Sequence, residues 1–311
     1  MTFDGADDPD SGNHPRAVAR DKARAIREEQ QKTERRNRLL LRGGIGVGII
    51  AILAIVALVL VSSAPTPAAG PLNMASDGIV ISKDFKVVPT DALHKGESPV
   101  PTARDKKSSV VSIRVYWDYF CPTCKGFEAA NRSQLTKWLK SGAITLEVHP
   151  VSILDRESLG TAYSTRAANA GACVANFSPD DYWVFNQQLF ASQPQENTAG
   201  LTNSQLIGVV RSAQVHNVAK ITTCINNETF KSWVSDATAR ATTGPLPDSS
   251  VKSVTGGLTV IVDGQQYPVT TADVSSPTAF ASFVEQTAGA QFDSSGSSAT
   301  PTPTPTPTAT N

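Results

Sequence analysis

Cys121 and Cys124, three positions apart in Cys121-Pro122-Thr123-Cys124, are the residues of this chain best suited to covalent chemistry. A pair at this spacing closes a small ring and alternates between dithiol and disulfide. The segment before it, VVSIRVYW, is a β-prone run that ends in a short turn, Asp118-Tyr119-Phe120. Pro122 then opens a helix, since its missing N–H would be unpaired in a first turn anyway. This places Cys121 at a helix N-terminus, where free N–H groups and the positive end of the dipole favour a thiolate. Cys124 lies one turn further in. The geometry predicts Cys121 as the attacking sulfur, Cys124 as the resolving sulfur, and Pro122 and Thr123 as the residues that tune the redox pair.

The other two cysteines are Cys173 and Cys224. Four cysteines allow three pairings, and the sequence does not choose among them. One reading keeps the close pair for redox work and lets the distant pair close a structural loop of about fifty residues, worth roughly 4 kcal/mol in a chain-entropy estimate. An even count with a long-range pair fits an oxidising compartment. A zinc site would need a second close pair of Cys or His. Here His94, His149 and His216 are scattered singly, so no metal and no cofactor are called for. Glu147 alternates with Leu146 and Val148. It reads equally as a proton acceptor beneath the cysteines and as an ordinary surface strand residue.

The elements that must position these groups follow from periodicity. Residues 78–88 alternate and suggest a strand or hairpin. Residues 110–117 and 143–151 read as strands and 122–139 as the helix between them, a parallel unit. Residues 156–176, 180–191, 203–213 and 218–241 read as helices. Residues 258–262 and 266–269 flank Asp263-Gly264, a strong hairpin signal. A last helix covers 276–288, with Pro277 in its first turn. The order is β-α-β, a helical block inserted over about 155–242, then β-β-α.

The flanks have a different composition. The chain has 311 residues, 40% of them hydrophobic, and a net charge of zero, which points to no nucleic-acid partner. Ten Lys/Arg lie in residues 1–42, five of them between Lys32 and Arg42. Residues 43–61 then form a run of nineteen without a charge, and about 20 apolar residues span a bilayer. Basic residues before the run and no charge after it until Asp77 predict a single-pass cell-membrane anchor with a cytoplasmic N-terminus. All four cysteines are then extracytoplasmic. Residues 62–77 read as a linker, 78–290 as the globular domain, and 291–311 as a disordered Thr/Pro tail.

YWDYFCPTCKGFE resembles the active-site segment of DsbA-like thiol–disulfide oxidoreductases of the thioredoxin superfamily. YSTRAANAGACVANF and FNQQLFASQPQEN resemble the helical insertion of its membrane-anchored actinobacterial branch, and LTVIVDGQQY the strand and hairpin after its cis-proline loop. The resemblance implies an α/β thioredoxin-like fold with an inserted helical domain behind one transmembrane helix. It implies Cys121 as nucleophile with Cys124 as partner, and a structural disulfide at Cys173 and Cys224. It also implies exported cysteine-containing clients and recycling by a vitamin K epoxide reductase-like membrane protein. One departure stands out. Gly257-Leu258-Thr259 occupies the slot of the family's Thr-Pro-Thr substrate loop, with Leu258 in place of the proline. A cis bond before leucine costs about 2.5–4 kcal/mol, so this bond is expected to be trans. The departure keeps two other readings open: a thioredoxin-fold binding module without catalysis, and a thiol-based handler of a thiophilic metal such as copper.

Overall fold

The computed structural model describes residues 70–105, 108–270 and 274–296. The basic tail, the apolar run 43–61, linker residues 62–69 and the tail beyond 296 lie outside the described residues. Among the described residues no helix is long and apolar enough to cross a membrane.

Five strands form one mixed sheet in the order β1-β3-β2-β4-β5. They are β1 (Ile79–Ile81), β2 (Val111–Trp117), β3 (Ile144–Pro150), β4 (Leu258–Val262) and β5 (Gln265–Gln266). β2 and β3 are parallel and joined by helix α1 (Pro122–Ser141), while β1 and β4 run antiparallel to β3 and β2. Asp263 and Gly264 both take positive φ, 45° and 85°, as a two-residue type I′ hairpin turn requires.

Strand alternation sorts the side chains into two faces. Ile113, Val115 and Trp117 of β2, Leu146 and Val148 of β3, and Val260 and Val262 of β4 join the main core. Tyr116 and Ile261 point the other way, into a smaller cluster with Val151, Ala241, Leu246, Val251 and Val254. Burial on both faces explains why β2 reads as a continuous β-prone run.

Between β3 and β4 come α2 (Tyr163–Phe177), α3 (Tyr182–Ala191), α4 (Asn203–Ser212), α5 (Val218–Asn226) and α6 (Lys231–Thr243); α7 (Pro277–Gly296) follows the hairpin. The helical insertion is therefore present, with two corrections. The helix expected from 156 begins only at Tyr163. Leu159, Gly160 and Ala162 have φ of 52°, 82° and 51°, which breaks any helix there and leaves only a short 3-10 turn at Asp155–Ser158. The helix expected over 218–241 is two helices, parted by a turn in which Glu228 has φ 46°. Cys173 of α2 and Cys224 of α5 form a disulfide, with Cα atoms 5.9 Å apart.

Both ends of the domain extend further than expected. Residues 70–77 are packed rather than free. Met74 and Ala75 are buried, and Gly70 N–H donates to the Leu93 carbonyl. Leu72 N–H donates to Asn176 Oδ1 and Asn73 Nδ2 to the Ala175 carbonyl, both at the end of α2. Arg240 grips the Asp77 carboxylate with two hydrogen bonds of 2.6 and 2.7 Å. At the other end α7 continues past residue 291 to Gly296.

Candidate active site

The site is built where β2 ends. Asp118 is fully buried. Its Oδ1 accepts from Phe120 N–H at 2.8 Å, an Asx-type turn that reverses the chain. Its Oδ2 accepts from Leu154 N–H at 2.9 Å, and its carbonyl accepts from Cys121 N–H at 3.1 Å. The turn delivers Cys121 to the N-cap of α1, with extended φ/ψ and Pro122 next in line. Its Sγ accepts from Cys124 N–H at 3.1 Å. A sulfur here does what a Ser or Asp oxygen does at most helix starts, and negative charge on it is favoured by the same N–H groups.

Cys124 lies wholly inside, and its thiol donates to the Gly257 carbonyl at 2.9 Å. That carbonyl also accepts from Asp118 N–H at 3.0 Å. One oxygen thus ties together the turn, the inner sulfur and the loop before β4. Both cysteines are free thiols. Burial first, then the neighbouring Cys121 sulfur, pushes the Cys124 thiol well above its ordinary range and keeps it protonated.

Of the three residues expected in the substrate loop, Gly257 comes against the pair. A Cβ there would lie 2.5 Å from Cys121 Sγ and 3.5 Å from Cys124 Sγ. Leu258 and Thr259 begin β4, opposite Trp117 and Tyr116. The cis bond among the described residues is Gly244–Pro245, so the bond before Leu258 is trans, as expected.

Glu147 is neither a surface residue nor a proton acceptor beneath the cysteines. It is buried on the opposite face of the sheet, where Ser76 and Thr102 donate to Oε1 and Arg114 Nε donates to Oε2 at 2.6 Å. Burial opposes its ionisation, but interactions with His149 and Arg114 outweigh burial and hold it below the usual carboxylate range. Its work is to tie residues 76 and 102 to the sheet.

A buried acid beside the cysteines is Asp118, which the sequence shows only as part of a turn. Its signal was an acidic residue at a strand end ahead of two aromatics. Burial pushes its pKa up to about 6, against the lowering effect of the donors around it. The folded protein therefore holds this proton more tightly than the unfolded chain does. The stability it brings is complete below pH about 4 and is lost as pH rises through about 6, roughly 3 kcal/mol over that window. In Asp118→Asn this slope should vanish. Denaturant unfolding at a series of pH values checks it, and an undiminished slope in the variant would assign the titration to another group. Gln193 was missed without any local signal. Its Nε2 donates to the carbonyls of Tyr119 and Cys121 at 3.0 Å each, across some seventy residues of sequence.

Residues 103–285 match the thioredoxin family, which covers more than half of the chain. The chain belongs to the thioredoxin family. Among solved structures it is similar to reduced DsbA from Mycobacterium tuberculosis, with 26% identity and a TM-score of 0.50 over 72% of this chain and 100% of that one. It is also similar to DsbG, a disulfide bond oxidoreductase of M. tuberculosis, with 26% identity and a TM-score of 0.49 over 70% of this chain and 88% of that one. A third is MdbA, a thiol–disulfide oxidoreductase from Corynebacterium diphtheriae, with 20% identity and a TM-score of 0.49 over 71% and 93%. No curated protein sequence matches the chain. The DsbA match agrees with the resemblance carried by YWDYFCPTCKGFE, and this thioredoxin-family chain is DsbA-like.

Proposed function

We propose that this DsbA-like protein disulfide oxidoreductase exchanges disulfides with exported, cysteine-containing proteins through Cys121 and Cys124, from the outer face of a membrane. The observation that carries the reading is the asymmetry of the pair. Cys121 Sγ sits at a helix N-cap facing N–H groups, while the Cys124 thiol is buried behind it against the Gly257 carbonyl. The first sulfur is placed to meet a client, and the burial of the second suits a proton until it is called on.

In the oxidising direction a client thiolate attacks Cys121 Sγ of the Cys121–Cys124 disulfide. The S–S bond breaks and Cys124 leaves with the electron pair, then takes up a proton. The client's second thiolate attacks the client sulfur of the mixed disulfide and expels Cys121 as thiolate. Two electrons pass from client to enzyme together with the one proton Cys124 takes up, the client's other proton going to solvent, and the reverse sequence reduces a client. The Asp118 carboxyl acts on Cys124 electrostatically, helping to hold its proton. Pro122 and Thr123 set the ring's geometry, and Gly257-Leu258-Thr259 forms the wall a client chain passes.

The anchor is supported by the uncharged run at 43–61 and its basic flank. Recycling by a vitamin K epoxide reductase-like membrane protein is supported by the family resemblance. Trapping in cells tests the function. In Cys124→Ala the resolving sulfur is gone, so mixed disulfides on Cys121 should accumulate with exported proteins, sensitive to reductant and absent in Cys121→Ser. Trapped species that survive in Cys121→Ser, or none in Cys124→Ala, would remove the assignment.

A further inference from the structure

We propose that Gln193, a residue of the helical insertion, is a positioning residue that sets the redox poise of the cysteine pair. This rests on the reading of Cys121 as the reacting sulfur. The Gln193 side chain gives both amide hydrogens to the turn that carries that sulfur, one to the Tyr119 carbonyl and one to the Cys121 carbonyl, each at 3.0 Å. Both partners are carbonyl oxygens, so only the nitrogen end of the amide can face them.

The amide is held there by a rigid neighbour. Gln193 N–H closes onto the Phe190 carbonyl just past the end of α3. That helix is fixed to the same turn and to the end of β2 by four further contacts. Tyr119 Oη and Tyr182 Oη share a hydrogen bond of 3.0 Å, and Tyr119 donates to Asn186 Oδ1 at 3.0 Å. The Phe190 ring packs against Trp117 and Tyr119, with centroids 5.1 Å away in each case. Tyr119, Tyr182, Asn186 and Phe190 are fully buried. The insertion thus places two N–H dipoles on the backbone beside the sulfur, at a fixed position.

The electrostatic consequence has a definite sign. A carbonyl oxygen close to a thiolate repels it, and an N–H donor on that carbonyl reduces the repulsion. The disulfide carries no charge and gains little from the donor. Gln193 therefore favours the reduced, thiolate-bearing pair over the disulfide, and a stabilised reduced form makes the protein a stronger oxidant. The relevant equilibrium is reduced protein plus glutathione disulfide with protein disulfide plus two glutathiones, in which two electrons leave the protein with the Cys124 proton and the second glutathione takes its proton from solvent.

The test is that equilibrium constant, measured on the full chain for the wild type, Gln193→Ala and Gln193→Glu. Gln193→Ala should shift it toward the protein disulfide by about threefold to tenfold, the range of one or two lost hydrogen bonds. Gln193→Glu keeps the shape, removes the donors and adds a charge, so its shift should have the same sign and be larger. Constants within about twofold of wild type in both variants would overturn the proposal, even if both melt at lower temperature. A failure of both variants to fold would also overturn it, since the residue would then be purely structural. A wild-type chain that does not equilibrate with glutathione would instead refute the assignment of the cysteine pair.

Discussion

Gly257→Ala should cost about a hundredfold in disulfide-exchange rate while leaving the fold intact. The added methyl would stand 2.5 Å from Cys121 Sγ and 2.7 Å from Cys121 Cβ, well inside van der Waals contact. Gly257 lacks the positive φ that would itself demand glycine, so the effect is steric rather than conformational. Rotation of the sulfur away from the helix N-terminus relieves the first contact but not the one with Cβ, which backbone movement must relieve. That rotation gives up the hydrogen bond from Cys124 N–H, and with it the stabilisation of negative charge. The alternative is retreat of the loop, which pulls the Gly257 carbonyl off the Cys124 thiol and off Asp118 N–H. Either way the attacking geometry is lost. Insulin reduction by the purified chain reads the rate, and circular dichroism reads the fold. A rate within about twofold of wild type would show that the loop yields freely and that Gly257 does not set the approach to Cys121.

Replacing Cys173 and Cys224 together by Ala should lower the unfolding free energy by about 4 kcal/mol. The bond joins α2 to α5 inside the insertion, and both cysteines are buried. Without it the unfolded chain regains the freedom of a fifty-residue loop, and the two vacated positions lose packing as well. Urea unfolding under oxidising conditions measures the change. A loss below about 1 kcal/mol would mean that the insertion is held by packing alone, through the Ala-rich, largely buried face of α2.

The sequence disclosed the site's centre because that centre is local. Cys121, Pro122 and Cys124 lie within one helical turn, and the β-prone run before them and the helix-forming residues after them are contiguous. The two strands and the helix between them were legible for the same reason, and so was the Asp263-Gly264 turn, whose φ requirement is written in its residue types. Contacts that close across long stretches of chain were not legible. Gln193 reaches the Cys121 carbonyl from the far side of the insertion. Glu147 looked amphipathic by alternation, but its face of the sheet is covered by residues 76, 102 and 149, so a charged residue is buried and paired. The helix starting at Tyr163 was misplaced because Leu159 and Ala162 adopt left-handed conformations that neither residue type advertises. Packing decides that Gly257, in the loop before β4, meets the Cys121 sulfur.

The packed entry segment has a mechanical consequence. Tension arriving from upstream of Gly70 meets the hydrogen bonds of Leu72 and Asn73 with the end of α2 before it reaches β1 at Ile79. Those bonds fall on Ala175 and Asn176, two and three residues from Cys173 and its covalent link to α5. Further along, Asp77 hands load to Arg240 on α6. A pull on residue 70 is thus grounded in the cross-linked helices, and the turn that holds Cys121 lies off that path.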